Sequence, residues 1–216
     1  MVVSTLRYLH RLPSIDRTTI ACGPDEIGAL GTEAPPGDPE PIQRPSAGVG
    51  PLQRRSYRVR IQGSPLGPGE LLELVAAHLN SASPVEVASF EKTKGEAGHL
   101  AVGDEYVVHM PGPWEGPVRV VDRAATSFRL ATLRGHMEAG EISFHASGDG
   151  DDLMFEIVSV ARSGDLLFHM LHDRLGVARE MQAHMWIHVC ERVARLSGGS
   201  RVGRYEVETR TPRERA

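Results

Sequence analysis

Cysteine is scarce in this sequence, and the scarcity excludes two kinds of scaffold. Only Cys22 and Cys190 occur among the 216 residues, and they form no CxxC pair. Disulfide-stapled domains and zinc ribbons both need more cysteines at closer spacing. The sequence therefore favours a chain that folds in a reducing compartment, and we expect a cytoplasmic location.

Basic charge is also in short supply. The chain has 24 Lys and Arg residues against 28 Asp and Glu residues, which gives a net charge of −4. Nucleic-acid binding depends on a surplus of cations that neutralise phosphates. Nucleic acid is therefore not an expected partner.

Long apolar runs are missing as well. No stretch of about 18 consecutive apolar residues, the length that spans a bilayer, occurs in the sequence. The first residues, MVVSTLRYLHRLPSI, are interrupted by arginine and histidine and lack the continuous apolar stretch of a signal peptide. We therefore expect no membrane insertion.

Composition divides the chain into three zones. Residues 1–50 form a proline-rich arm, with five prolines from Pro35 to Pro45, and this arm could either dock on the core or stay mobile. Residues 51–198 have the pattern of one compact domain. Residues 199–216 are predicted to be a flexible charged tail, although RYEVET within it could pair as a short edge strand.

The middle zone has a clear order of elements. Residues 54–62 alternate apolar side chains with arginines, which predicts a half-buried strand, and a helical stretch starts at Pro68. A helical stretch from about Asp165 to Leu196 ends the zone. Six further strand-like runs, separated by turn residues, lie between the two helical stretches: 85–93, 104–110, 116–122, 127–133, 141–146 and 152–161.

Short connections between these runs favour antiparallel neighbours, and a sheet of this size must cover one face. The sequence thus predicts an α+β fold in which a curved, seven-stranded antiparallel sheet wraps around a long C-terminal helix. This order of strands and helices resembles the helix-grip architecture of START-like and Bet v 1-like (SRPBCC) proteins. That resemblance implies an apolar cavity between the sheet and the helix.

Residues 132–162 resemble a bacterial and plant family, the domain of unknown function 1990. The matching features are Thr132-Leu133, Gly135-His136, Gly140-Glu141 and an apolar strand that ends at Arg162. Gln182 in the following helix is also similar. Ala161-Arg162-Ser163 stands where the family tends to have Ser-Arg-Pro. The resemblance extends over roughly residues 52–198, and it implies a fold without implying an activity.

The segment RGHMEAGEISFHA (134–146) gathers two histidines and two glutamates. Strand alternation places Glu141, Ser143 and His145 on one face and Ile142 and Phe144 on the other. On one interpretation the apolar pair faces the core, while His136 and Glu141 hold a hairpin whose glycines adopt unusual backbone angles or allow close approach. On the other, His136 and Glu141 form an acid–base pair at a cavity mouth.

Histidines of the C-terminal helix raise the question of a metal. His184 and His188 are four residues apart and share a helix face, which is a spacing that can bind a divalent cation. The intervening residues contain no acid, so the HExxH pattern is absent. We expect partly exposed helix histidines, with no metal and no cofactor.

Two other features are candidates for ligand contact. Arg162, at a strand end, could bind a carboxylate or pair with Glu156 or Asp165. Trp114 lies in the stiff loop HMPGPWEGP (109–117), where it could cover a cavity or fold back on the core. The full set of predicted ligand-binding residues is His109, Trp114, His136, Glu141, Arg162, Met181 and Met185.

Motifs for a nucleophile elbow, a P-loop or a dinucleotide site are absent. Two functional hypotheses remain. The first is a module that binds a small apolar or amphipathic ligand, since methionines suit adaptable apolar pockets. The alternative is a cyclase- or dehydratase-type enzyme for a small carbonyl or polyketide-like substrate, with acid–base groups from His109, Glu141, His145, Arg162 or His184. A partner-binding role or a homodimer formed through sheet edges also stays open.

Overall fold

A computed structural model of the chain describes residues 14–27, 42–84, 88–110, 115–164 and 177–213. The strands are β1 (Ile15–Cys22), β2 (Val49–Gln62), β3 (Ser89–Lys94), β4 (Glu105–His109), β5 (Glu115–Ala124), β6 (Ser127–Thr132), β7 (Glu138–Asp149), β8 (Asp152–Ser163) and β9 (Ser200–Pro212). The helices are α1 (Pro24–Ile27), α2 (Pro68–Ala77), α3 (Leu79–Ala82) and α4 (Val177–Leu196), and a single 3-10 turn covers Pro45–Ala47. Residues 165–176, which the sequence assigns to the last helix, lie outside the described residues.

All nine strands belong to one sheet, in the order β1-β9-β2-β8-β7-β6-β5-β4-β3. The prediction of seven strands is therefore wrong, although each of the seven predicted runs overlaps one strand of the sheet. The sheet stays open, with β1 and β3 at its edges. It is also not wholly antiparallel, because β1 pairs with β9 in parallel.

Strand β9 corrects the expectation of a flexible tail. Its residues pair antiparallel with β2 on one side and parallel with β1 on the other. Tyr205 and Val207 are buried in the core, while Glu206 between them is exposed. RYEVET therefore does form a strand, as the alternative interpretation allowed, but this strand has 13 residues and lies inside the sheet.

Helices α2, α3 and α4 lie on one face of the sheet, which we call the inner face. Helix α4 packs against β2, β8 and β9, and α2 packs against β6 and β7. Alternate residues of the central strands point into this layer, so that Tyr57, Ile157 and Phe144 pair side by side beneath the helices. One continuous apolar cluster lies between the sheet and the helices, and it stabilises the fold by removing these side chains from water.

A chain segment crosses part of the opposite, outer face of the sheet. Residues 42–48 pass over β6, β7 and β8: Ile42 pairs with Leu133 and packs with Ala131, and Gly48 lies against Ala139. An added Cβ at Gly48 would approach Ala139 Cβ to 2.9 Å, so glycine is needed for this close crossing. Among the described residues, no helix has the length and apolarity required to cross a membrane.

Candidate functional site

Polar residues on the inner face begin where the apolar stripe of β2 ends. Tyr57, Val59 and Ile61 face the core. The same alternation carried back along the strand places Arg55 and Gln53 on the inner face. Arg55 is only 7% exposed, although it carries a charge. A buried guanidinium requires partners, because an uncompensated charge is costly away from water.

The partners of Arg55 come from the strand itself and from helix α4. Its Nη1 donates to Gln182 Oε1 at 2.5 Å, and its Nη2 donates to Gln53 Oε1. Gln182 in turn donates from Nε2 to both carboxylate oxygens of Glu138, at 3.1 Å each. A line of hydrogen bonds therefore joins β2, α4 and the start of β7. We call Gln53, Arg55, Tyr57, Glu138, Gln182 and Trp186 the inner polar cluster.

Two aromatic residues complete this cluster. Burial raises the pKa of Tyr57 to about 12, and the neighbouring charge and hydrogen bond of Arg55 offset only part of that effect. The phenol therefore stays protonated at neutral pH. The Trp186 ring on α4 lies 6.5 Å from the Tyr57 ring and meets Phe144 edge-on at 6.0 Å. Both rings thus border the polar groups with apolar surface.

Two donors in the cluster lack an acceptor. Arg55 Nε and Trp186 Nε1 are buried, and neither has a hydrogen-bond partner among the described residues. Both groups can only donate. Buried polar groups in folded proteins are nearly always satisfied, so each orphan donor requires an explanation. A bound molecule that supplies a hydrogen-bond acceptor would explain both donors.

Strand β1 contributes a further charged contact beside this cluster. Arg17 pairs in register with Val207, which is itself the neighbour of Tyr57, so Arg17 lies on the inner face. Its Nη1 and Nη2 donate to the two Glu180 oxygens at 2.6 and 2.9 Å, which ties β1 to the first turn of α4. This contact raises the pKa of Arg17, mainly through the Glu180 hydrogen bond.

Glu141 and Arg162, two of the predicted site residues, lie on the outer face. As the alternation predicts, Phe144 and Ile142 face the core, which turns Glu141 to the other side, where its Oε2 is 3.7 Å from Arg129 Nε. Arg162 shares the outer face, beneath the crossing of Gly48. Its Nε is buried without a hydrogen-bond partner among the described residues. Neither side chain meets the inner polar cluster.

His136 holds the turn between β6 and β7. Its Nδ1 accepts a hydrogen bond from the backbone N–H of Glu138 at 2.9 Å, and its Nε2 lies against Gly116. Burial lowers the pKa of the imidazole, and the nearby Glu138 opposes that shift. Gln43 also ties this turn, with Nε2 donating to the carbonyl oxygens of His136 and Glu138. The described contacts of His136 are those of a structural histidine.

His109 and the remaining predicted residues do not join the inner polar cluster in the described structure. His109 Nε2 is 2.8 Å from Glu91 Oε2 on the partly exposed β3–β4 edge. Trp114 lies outside the described residues, and so does the side chain of Met181. Met185 is buried on α4. No described contact links these residues to one another.

The helix histidines have carboxylate neighbours of their own. His184 Nε2 is 3.7 Å from Glu180, and His188 Nδ1 is 3.3 Å from Glu191. Burial is the largest cause of the lowered pKa of both imidazoles. Within the described ranges, no three side chains of His, Cys, Asp or Glu are grouped so that they could hold a metal ion.

The sequence pointed to part of the inner polar cluster. The family resemblance includes Gln182, whereas Arg55, Tyr57 and Glu138 are not among the predicted site residues. The sign that could have identified Arg55 is its spacing: it stands two residues before Tyr57, on the apolar side of the β2 alternation. An arginine at a core-facing position is unusual, which makes Arg55 a candidate site residue.

Comparison with known proteins places this geometry in a wider context. A family model described as "Domain of unknown function (DUF1990)" matches residues 52–199. Among curated proteins, none matches the chain in sequence.

Several solved structures are similar to this chain. The solution structure of the KanY protein aligns with a TM-score of 0.51 at 11% identity, covering 70% of this chain and 100% of that one. Norcoclaurine synthase from Thalictrum flavum, in complex with dopamine and hydroxybenzaldehyde, aligns at 0.47 and 12% identity, covering 76% and 98%. The Ara h 8.0201 protein aligns at 0.43 and 9% identity, covering 67% and 97%.

Proposed function

We propose that this chain, which belongs to the DUF1990 family, binds a small amphipathic molecule between the inner face of the sheet and helix α4. The polar end of the ligand lies at the inner polar cluster. Its apolar part lies along the aromatic side chains of the same layer.

The observation that carries this proposal is the pair of orphan donors. Leaving a buried donor unsatisfied costs about 1–3 kcal/mol, so two of them in one layer are expensive unless something accepts from them. Arg55 Nε comes from the sheet and Trp186 Nε1 from the helix, on the two walls between which the ligand would lie. A ligand with an acceptor atom relieves both costs at once.

Incomplete burial of apolar side chains supports the same location. Ile142 and Trp186 both pack against the core, yet both are only partly buried, in contrast with Phe144 and Ile157 in the adjacent row. Ile142 also pairs with Ser159, which pairs with Arg55, so this half-open apolar surface adjoins the guanidinium. An apolar ligand portion placed there removes the remaining surface from water, which favours binding.

The positions of the titratable groups favour a binding function over the cyclase or dehydratase hypothesis with the acid–base residues predicted from the sequence. That hypothesis needs at least two acid–base groups to converge on one cavity. Glu141, His145 and Arg162 lie on the outer face, and His109 lies at the β3–β4 edge. His184 alone of that set belongs to the helix layer.

Native mass spectrometry and a neutral dye test the proposal. Native spectra of the purified full chain should show an added mass that organic extraction releases. Nile red, which is uncharged, should bind with about 1:1 stoichiometry and be displaced by the extract. Ile142→Trp should abolish dye binding by filling the half-open surface, while Ile20→Trp, a matched change at an exposed residue of β1, should leave it intact.

Circular dichroism melting of both variants verifies that they are folded. If the wild-type chain carries no extractable mass and does not bind the dye, the proposed function is wrong.

A further inference from the structure

Arg55 differs from another equally buried arginine of the same sheet in what balances its charge. The Arg119 side chain is 4% exposed, and its Nη2 lies 2.9 Å from Glu105 Oε1, so its charge is directly compensated. The partners of Arg55 are the neutral amide oxygens of Gln53 and Gln182. Among the described residues, no carboxylate forms an ion pair with Arg55.

The nearest carboxylate in the hydrogen-bond line is one step removed. Glu138 is reached from Arg55 only through Gln182, whose amide accepts from the arginine and donates to the glutamate. Glu138 is also partly exposed, so water weakens its field at Arg55. Among the described residues, the guanidinium is therefore a buried cation without a contacting anion, which is an expensive arrangement.

Two donors of the inner polar cluster, Arg55 Nε and Trp186 Nε1, have no acceptor among the described residues, which is the number that a two-oxygen acceptor can use. Arg55 uses Nη1 and Nη2 for the two glutamines, which leaves Nε. Gln182 and Trp186 are one helical turn apart on α4, so the indole N–H follows directly from the residue that holds Arg55. A carboxylate can accept from a guanidinium edge with one oxygen and from a second donor with the other.

We propose that the polar end of the bound ligand is a carboxylate, held between Arg55 Nε and Trp186 Nε1. This inference rests on the proposed function and adds the chemical class of the ligand: an amphipathic carboxylic acid. A neutral alcohol or amide could satisfy the same donors without compensating the charge of Arg55.

Matched series of ligands test the inference at pH 7.5. Dodecanoate is compared with 1-dodecanol and dodecanamide, and 4-phenylbutyrate with its alcohol and amide, by displacement of Nile red from the full chain. Charge-assisted hydrogen bonds are about twice as strong as neutral ones. The acid of at least one series should therefore bind about tenfold more tightly than both of its neutral counterparts.

Substitutions in the inner polar cluster test which residues cause the preference for the acid. Arg55→Gln should abolish the preference for the acid, so that the acid binds no more tightly than its alcohol and amide counterparts. Trp186→Phe, which keeps a ring and removes only the N–H, should weaken the acid severalfold. Arg54→Gln is the control, because the neighbouring arginine on the same strand points to the outer face.

The outcomes distinguish failure of the carboxylate inference from failure of the proposed ligand-binding function. If acid, alcohol and amide bind equally, the carboxylate inference is overturned while the ligand-binding function stands. If the wild-type chain carries no extractable mass and does not bind Nile red, the proposed function itself fails. If Arg55→Gln does not fold, the wild-type comparison and Trp186→Phe decide, and an acid preference unchanged in Trp186→Phe overturns the inference.

Discussion

Arg55 on β2 and Gln182 on α4 are joined by a hydrogen bond of 2.5 Å between Nη1 and Oε1, and the same glutamine bonds Glu138 on β7. One neutral side chain thus separates a buried cation from a partly exposed anion. Helix α4 is fastened to the sheet through this residue, in addition to its apolar contacts.

Replacing Gln182 by methionine should destabilise the fold. Methionine has a similar shape and makes no hydrogen bonds, so Arg55 Nη1 and Glu138 both lose a partner, and the free energy of unfolding should fall by about 1–3 kcal/mol. Urea unfolding measures the change. Gln62→Met, at an exposed position of β2, is the control and should alter stability by less than about 0.5 kcal/mol. Equal effects of the two variants would contradict the role of Gln182.

Two glycines of strand β7 should respond in opposite ways to alanine. A Cβ at Gly140 would lie 2.2 Å from the carbonyl oxygen of Val160 and 2.6 Å from Ala161 Cα, both backbone atoms of β8. Since those atoms cannot move without opening the β7–β8 ladder, Gly140→Ala should cost about 1–3 kcal/mol or more.

Gly148→Ala is the matched control on the same strand. No atom lies within 4 Å of the Cβ it would add, and its backbone is not left-handed. Alanine there should be neutral, or stabilising by about 0.4–1 kcal/mol through the unfolded chain. Thermal unfolding of the two variants side by side checks both expectations, and similar melting temperatures would refute the packing account.

The ion pair between Arg17 and Glu180 should govern how firmly β1 docks. Both side chains are more than 40% exposed, so the pair is worth only about 0.2–1 kcal/mol. Arg17→Glu should raise amide hydrogen exchange across residues 15–22, and the double change Arg17→Glu with Glu180→Arg should restore protection. If the double variant exchanges as fast as the single one, the contact does not hold the strand.

Acid should weaken the turn that His136 holds. Burial lowers the pKa of this histidine below its unfolded value of 6.5, so the unfolded chain binds the proton more readily. The stability that His136 contributes is therefore full above pH 6.5 and is lost as pH falls toward the lower, folded-state pKa. Protonation also removes the acceptor that Nδ1 offers to the Glu138 N–H.

Unfolding free energies measured from pH 7.5 to pH 5 test this expectation. His136→Asn should flatten the loss of stability relative to the wild-type chain. His145, His184 and His188 also have pKa values lowered mainly by burial, so they add to the wild-type slope, and the difference between the two chains isolates His136. His99→Asn, at an exposed residue, controls for losing any histidine. An unchanged slope in His136→Asn would refute the assignment.

Local patterns predicted the central strands well. Alternation of apolar and polar residues, interrupted by glycines, is a property of a few neighbouring residues, and it placed Ile142 and Phe144 inward correctly. Gly135, with a φ of 95°, and the closely approached Gly140 also have the properties expected of them. The edge extension escaped prediction because β1 and β9 pair across almost the whole chain, and β9 carries charged residues along its exposed side.

The candidate site was harder to predict, because a residue's chemical type does not show which face of the sheet its side chain occupies. Glu141 and Arg162 are among the predicted site residues because of their charged groups. The alternation of side chains along each strand places both on the face away from the helices. The alternating pattern of β2 groups Arg55 with the solvent-facing arginines, although Arg55 lies two residues before Tyr57 and therefore on the same, inward face. Whether an inward polar residue has a partner depends on α4, and that information is absent from the strand's own sequence.

Strand β1 also has a consequence for how the chain reaches its final state. In the described sheet its only ladder partner is β9, so residues 15–22 must wait for residues 205–212, which are made nearly two hundred residues later. Closing a loop of that length is slow, because its entropy cost comes first and the β1–β9 hydrogen bonds that offset it form only afterwards. Strand β1 therefore leaves the ribosome long before the strand with which it pairs. Until β9 is in place, Glu180 on the first turn of α4 lacks the Arg17 contact that ties β1 to it.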